Sequence, residues 1–523
     1  MIFETLNAPE ALLSLQQENA FLLEKIAQKE RFYESEIKLL KQQILSLQQM
    51  LFGRKSEKLP IDQQQLPLFK EPEQETAADD ASEAVHVPAH TRRKSGRKPL
   101  PENLPRIEVI HDLSEKEKQC SCGCMKTRIG EEISEQLDII PARMQVIRHI
   151  RYKYVCRACE GTHADESAVS IAPAPLQMIP KSMASPGLLA HVFTGKFVDA
   201  LPFYRQEKQF LRLGVELKRA TMCNWAMQVA DKCALLLKIL HKEILSGPLI
   251  NADETTLKVL KEPNKSKNSK SYMWVFRGGP PDRPCLIYHY NAGRSGDVAS
   301  SFLGDYKGCV QTDGYAGYDF LDVKEDITHI GCWAHARRKF VEVERIGGKR
   351  GPGKKKTNAK IALDYIGSLY KIEKQARDQG LCVDEIRALR AKEAKPILNE
   401  FKKWLDEKSI HTPPKGVFGK AITYTLNQWD RLKAYTEYGF ATPDNNAAEN
   451  AIRPFVVGRK NWLFSGHPAG ARASAVFYSL IETAKANGLE PYQYLRTLFE
   501  QLPKAKSTKD YQALLPQHIN LND

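Results

Sequence analysis

Between residues 247 and 340 the chain passes through short apolar runs in an order that constrains its fold. PLINAD, YMWVFR and PCLIYHY read as strands, the last two joined through a Gly-Pro turn. GDVASSFLG reads as a short helix. GCVQTD and THIGCWA are a fourth and a fifth strand, ahead of the helix HARRKF. Three strands, a helix, a strand, a connection and a strand make an α/β layer. In a five-stranded sheet of that order, strands one and four are neighbours. Asp253 then ends the first strand and Asp313 ends the fourth. Two acids at the same ends of adjacent strands can share a divalent cation. Oxygen ligands suit Mg2+ or Mn2+, and two such ions can stabilise the attacking and leaving oxygens of a phosphodiester displacement.

The charge balance points to the partner. The 523 residues carry 77 Lys and Arg against 63 Asp and Glu, a formal net charge of +14. That excess favours a polyanion, and nucleic acid leads. A membrane surface is the rival, but no run approaches the roughly 18 apolar residues of a spanning helix. The start, MIFETLNAPE, has no basic segment followed by an apolar one, so the expected compartment is the cytoplasm. Eleven cysteines, an odd number, argue against a disulfide framework. Six are scattered (Cys223, Cys233, Cys285, Cys309, Cys332, Cys382) and are expected to be buried as small hydrophobes.

A third carboxylate would complete an acid site, and Glu449 in DNNAAENAIRPFVVGRKNWLFSG is the candidate. Plainer roles exist for all three acids. Asp253-Glu254-Thr255 reads as a strand end, and Asp313-Gly314 as a common turn pair. Glu449 lies three after Asn446, the capping-box spacing, and four before Arg453, the spacing of a helix ion pair. What favours the joint reading is their coincidence with the strand order and the positive charge.

The rest of the chain divides by pattern. Residues 1–57 hold a long helix with a heptad seam: Leu23, Glu30, Ile37, Ile44 and Leu51, with Ile26, Tyr33, Leu40 and Leu47 offset by three. A self-associating coiled coil is expected, hence a homo-oligomer. Residues 58–105 form an acidic, Pro-rich linker that turns basic at TRRKSGRKP, a tether or a DNA contact. Residues 166–246 are helical, with Pro186 opening one helix and Pro202 interrupting the next. A turn at Leu213-Gly214 precedes a helix carrying Lys218, Arg219, Asn224 and Trp225, an arrangement like helix-turn-helix. Residues 247–344 are the first part of the α/β core, 345–440 a helical insertion, 441–505 the second part, and 506–523 a C-terminal tail. Val476, Phe477, Leu480, Ile481 and Ala484 give the last strong helix its apolar stripe, and Asn487-Gly488 stops it.

Residues 106–165 hold the remaining cysteines. CSCGCMKTRIG supplies Cys120, Cys122 and Cys124; YVCRACEG supplies Cys156 and Cys159 as a CxxC. Strand-like sequence between them would bring the two ends together. A four-thiolate structural Zn2+ site is expected, with a redox CxxC as the rival.

NADETTLKVL, QTDGYAGY, HIGCWAHARRKF and DNNAAENAIRPFVVGRKNWLFSG together resemble the transposases of the insertion-sequence-66 family of bacterial mobile elements. The likeness runs from about residue 100 to about 502, and LFGRKSEK at 51–58 fits the family's front end. It implies a multidomain α/β protein with a ribonuclease-H-like catalytic core and a helical insertion between the second and third acids. It also implies that Asp253, Asp313 and Glu449 form a DDE metal-binding triad. The implied activity is cleavage at the element's ends and joining of the 3′-hydroxyls to target DNA, with accessory proteins of the element as further partners. Arg453, Arg459 and Lys460 would then hold phosphates, and Trp462 would stack on a displaced base. Packing in the core is the plainer role for Trp462 and Phe464. His335, Arg337 and Arg338 would reach DNA or form a solvated basic face. The family carries a zinc-finger-like domain, usually with CxxC at both ends, where this chain has CxCxC. Matching the family's Cys-Gly favours Cys120 and Cys122 beside Cys156 and Cys159, with Cys124 as an alternative. Two other functions stay open: a DNA-binding protein with an inactive catalytic fold, and a metal-dependent nuclease that does not join strands.

Overall fold

The computed structural model describes residues 18–30 with helical positions on to 44, then 106–110, 125, 134–137, 144–155, 169–266, 269–346 and 356–521. The five clustered cysteines and the acidic linker lie outside the described residues. The chain forms two compact units, one of residues 1–55 and 152–523, the other of residues 56–151. In the smaller unit Arg106 pairs with Glu135 at 3.1 Å. In the larger, helix α1 (residues 18–30, with further helical positions among the described residues up to 44) exposes Leu23, Ile26, Tyr33, Ile37, Leu40 and Ile44. These are described positions of the heptad seam.

A short ribbon, β1 (Lys153–Val155) with β2 (Val169–Ile171), precedes a helical region. This comprises α2 (Pro186–Phe197), α3 (Phe203–Arg212), α4 (Arg219–Lys232) and α5 (Ala234–Leu245). Pro186 opens α2, where Ser185 accepts the Leu188 N–H at 3.2 Å. Gly214 turns between α3 and α4 at φ +80°, a conformation that favours glycine. Lys218, Arg219 and Asn224 are exposed, but Trp225 is buried in the core.

The sheet order is β5-β4-β3-β6-β7. Its strands are β3 (Leu249–Lys258), β4 (Lys270–Gly278), β5 (Cys285–Asn291), β6 (Gly308–Gln311) and β7 (Ile327–Ile330), with α6 (Asp297–Leu303) before β6. The first three pair antiparallel, while β6 and β7 run parallel to β3. Met273 to Phe276 are buried on both faces of β4, as expected for a covered central strand. Side-chain alternation assigns those faces. Trp274 and Phe276 meet Tyr318 and Phe302. Tyr288, paired with Val275 on the opposite face, meets Phe455 and Tyr478.

These last two residues belong to α13 (Asn446–Trp462) and α14 (Pro468–Ala486). Helix α14 also protects the edge strand. Its Ser479 and Thr483 hydroxyls accept the N–H groups of Tyr288 and Leu286, at 2.8 and 3.0 Å. Helices α15 (Pro491–Gln501) and α16 (Thr508–Ala513) follow, and Leu515 beyond them is fully buried, so this end of the chain joins the core.

A second core belongs to the helical insertion. Helix α7 (Trp333–Ile346) leads from β7, followed by α8 (Asn358–Asp378), α9 (Val383–Leu389), α10 (Lys395–Ile410), α11 (Val417–Asn427) and α12 (Trp429–Ala434). Trp333, Phe340, Ile366, Phe401 and Trp429 cluster there. Arg390 is buried and fully engaged: it grips Glu373 at 2.8 and 2.7 Å and donates to the carbonyls of Tyr435, Tyr438 and Ala441. Such a bidentate pair with every other donor satisfied is strongly directional. It fixes the segment that returns the chain to the sheet.

Candidate active site

Strand β3 is longer than its sequence suggests. Pairing with β4 continues to Lys258, whereas parallel pairing with β6 ends at Asn251 opposite Gln311. Asp253 is therefore mid-strand, not at a strand end. It stands two residues beyond the last parallel rung, and Asp313 stands two beyond Gln311. The period of two then puts Asp253 on the face of Asn251.

Asn251 and Gln311 define that face. The Asn251 amide donates to Gln311 at 2.9 Å and to Asn445 at 3.0 Å. Asn445 donates to the Ala252 carbonyl at 2.8 Å, and Gln311 donates to the Thr442 carbonyl at 2.7 Å and the Gly331 carbonyl at 3.2 Å. All three amides are buried. Asn445 is the N-cap residue of α13, and its side chain is used on the sheet instead of capping the helix. The capping box expected from Asn446 is thus absent, because the helix starts at Asn446 and Glu449 is its fourth residue. Glu449 still lies in the first turn, where the helix dipole favours a carboxylate.

The sequence reading missed this amide network. Its signal is present in the chain: an amide two before Asp253, two before Asp313 and four before Glu449. Those spacings are one strand period and one helical turn.

The acids differ in surroundings. Asp253 accepts the Glu254 N–H at 2.8 Å. Burial first, then Glu254, Asp313 and Glu449, push its carboxyl up to about 8, against the pull of that N–H. Like charges held together in a dry site favour a bound cation. Asp313 accepts the Tyr315 N–H at 2.9 Å, so the expected turn is real and orients the carboxylate. The Gly314 backbone lies so close to Tyr424 of the insertion that a Cβ would sit 2.6 Å from its hydroxyl. On the other face, Glu254 pairs with Arg294 at 2.5 Å and accepts the Tyr318 hydroxyl at 2.7 Å.

Glu449 faces α7. Its carboxylate is 3.7 Å from His335 Nδ1 and 3.8 Å from an Arg338 nitrogen. Burial lowers the pKa of His335. Among the described residues, one set of three possible metal-ligand atoms lies within 4.8 Å of one another: Cys332, His335 and Glu449. The three acids do not form such a set.

The candidate DNA-contacting residues are dispersed around this centre. Arg453 and Lys460 are exposed on α13. Arg459 instead ties α13 to β3, donating to Thr255 Oγ1 at 3.0 Å and to Thr256. Trp462 packs on Phe455, ring centroids 5.5 Å apart, with the Lys196 ammonium 5.4 Å from its ring. That is the packing role, and Phe464 is the exposed aromatic. Arg338 is more than half exposed. Two of the six scattered thiols, Cys223 and Cys382, are exposed where burial was expected, since each sits at a helix surface or end.

Residues 181–473 match the profile described as Transposase IS66 family. The chain belongs to the IS66 transposase family. Three more IS66 profiles cover other parts: a leucine-zipper profile described as transposase C of IS166 homeodomain at 39–109, the zinc-finger binding domain of transposase IS66 at 117–160, and the IS66 C-terminal element at 479–517. Among curated relatives, uncharacterized protein y4jD of Sinorhizobium fredii is 32% identical over 84% of this chain and 86% of its own. Uncharacterized protein y4qI of the same organism is 30% identical over 90% of this chain and 87% of its own. Among the described residues, no helix is long and apolar enough to cross a membrane.

Proposed function

We propose that this IS66 family member is a DNA transposase of the acid-triad type, with Asp253, Asp313 and Glu449 as the metal-binding residues of a ribonuclease-H-like core. The observation that carries the reading is the register: Asp253 and Asp313 lie at matching positions beyond the last β3–β6 rung, and the same rung anchors the helix bearing Glu449. The strand order, with three antiparallel strands and two more parallel to the first, supports the core assignment.

The donor set fits a hard cation. The oxygens are carboxylate, Asp253 holds its proton to about 8 in the absence of a counter-charge, and Glu449 Oε1 is buried without a hydrogen-bond partner. Bound Mg2+ or Mn2+ would supply charge neutralisation and an activated oxygen nucleophile. Around it the chain's residues do the positioning. Tyr315 and the Glu254 N–H orient the aspartates. Glu449 rests 3.7 and 3.8 Å from His335 and Arg338 until DNA and cation draw it to the sheet. Arg453 and Lys460 contact phosphates flanking the scissile bond.

In the first displacement water attacks phosphorus and the element's 3′-hydroxyl leaves. In the second that hydroxyl attacks target DNA. The zinc-finger region (Cys120, Cys122, Cys156 and Cys159 with Zn2+) and the helical region 186–245 would read the element ends. The α1 seam would pair protomers.

The test is strand cleavage of terminal DNA with Mg2+, comparing wild type with Asp253→Asn. Equal cleavage by both would refute the triad. Pre-cut ends separate transposase from nuclease: cleavage without any joined product would leave a nuclease.

A further inference from the structure

Cys332, His335 and Glu449 offer a sulfur, a nitrogen and an oxygen within 4.8 Å of one another, with no oxygen-only character. Cys332 and His335 are separated by two residues at the junction of β7 and α7, and Glu449 comes from the first turn of α13. The thiol is buried and accepts the Asn445 N–H at 3.2 Å. Burial and then Asp444 push the Cys332 thiol up to about 12 against the pull of that N–H, so a bound cation would have to displace its proton. His335 Nδ1 and Glu449 Oε1 are both buried without a hydrogen-bond partner, and they face each other at 3.7 Å. Buried polar atoms in a protein are normally satisfied, so a pair of orphans beside a thiol calls for a shared partner.

We propose that Cys332, His335 and Glu449 form a second divalent-cation site, selective for thiophilic ions of the zinc class, which competes for Glu449 with the hard-metal site at Asp253 and Asp313. Three protein ligands of S, N and O type, with one position left open, suit zinc. Magnesium takes oxygen ligands and would not select the thiol. In the orientation seen, Glu449 faces His335 and forms no three-ligand set with the aspartates. A zinc-class ion therefore holds Glu449 against α7 and leaves the aspartates with two ligands of three. The site would be an off-switch sensitive to free thiophilic metal. The competition rests on the proposed role of Glu449; the binding does not.

The experiment uses the full chain with its cysteine cluster (Cys120 to Cys159) already loaded with zinc. Cobalt(II) is titrated in excess magnesium. The expected result is one further equivalent of cobalt, with thiolate-to-cobalt absorption in the near ultraviolet. Cys332→Ser and Glu449→Gln, which remove different ligands, should each abolish that equivalent. Zinc at about ten times its dissociation constant should slow wild-type end cleavage about tenfold by mass action. Cys332→Ser, compared with its own zinc-free rate, should not slow. Wild type that takes up no cobalt beyond the cysteine cluster would overturn the site, and this holds even if a variant misfolds. So would equal cobalt absorption in wild type and Cys332→Ser. Asp253→Asn separates the two readings. It should keep the cobalt signal while losing cleavage. If it cleaves like wild type, the acid triad fails and the cobalt signal still decides the new site.

Discussion

The two aspartates and the glutamate are held by different kinds of structure. Asp253 and Asp313 take their places from strand register, a property of a few neighbouring hydrogen bonds. Glu449 takes its place from residues far apart in sequence: Asn251, Gln311 and Asn445, backed by the insertion that Arg390 braces. The strand-borne pair is built to stay still. The helix-borne acid faces His335 and Arg338 at distances too long for firm bonds, so it can be drawn elsewhere. On the proposed reading, such a site, with two fixed ligands and one movable ligand, would assemble only when cation and DNA arrive.

The largest effect should come from breaking the fixed half. Asp313→Asn should reduce cleavage by on the order of 10³- to 10⁵-fold, about 4 to 7 kcal/mol of transition-state stabilisation. Thermal stability should hold or rise, since a like charge beside Asp253 is removed. A large fall in melting temperature would show that Asp313 is structural instead.

Breaking the brace of the movable half should act on stability. Arg390→Ala leaves Glu373, whose side chain is 12% exposed, unpaired and three carbonyls without their donor, and should cost about 3 to 5 kcal/mol in denaturant unfolding. A cost under about 1 kcal/mol would mean that the insertion does not depend on this residue.

Acid should loosen the floor under Asp313. Thr312 is hydrogen bonded to His329, which in turn pairs with Asp322, and burial holds the His329 pKa down to about 4. Its folded pKa lies below the unfolded value of about 6.5, so the unfolded chain binds the extra proton first. Stability from this residue is therefore complete above about pH 6.5 and is lost as pH falls toward 4, by about 3 kcal/mol at most. His329→Gln should flatten that slope, and an unchanged slope would assign acid sensitivity to other groups.

The link between the halves should give the smallest change in stability. Asn445→Ala leaves Asn251 short of a partner and should cost about 1 to 3 kcal/mol. It should also raise the magnesium concentration needed for cleavage, because Glu449 loses its anchor to the sheet. Normal magnesium dependence in a destabilised variant would reduce the amide network to packing.

Much of this was legible in the chain. Short apolar runs marked the five strands, and the order in which they occur made β3 and β6 neighbours, so Asp253 and Asp313 could be paired without coordinates. The stripe on α14 and its stop at Asn487-Gly488 were equally plain. The length of β3 was not, because all of residues 254–258 but Leu257 are polar and they hold their strand through pairing with β4. Nor was the use of Asn445, since a residue before a helix looks like a cap whatever its side chain later meets. Trp225 and Trp462 looked suited to DNA, but one is buried in the core and the other packed on Phe455.

Local patterns decided the strands and helices of the α/β core, because periodicity and turn chemistry act over a few residues. Tertiary structure alone decided which way Glu449 points and what it meets. That choice depends on contacts across more than a hundred residues, from Cys332 and His335 to α13, and no short-range pattern records them.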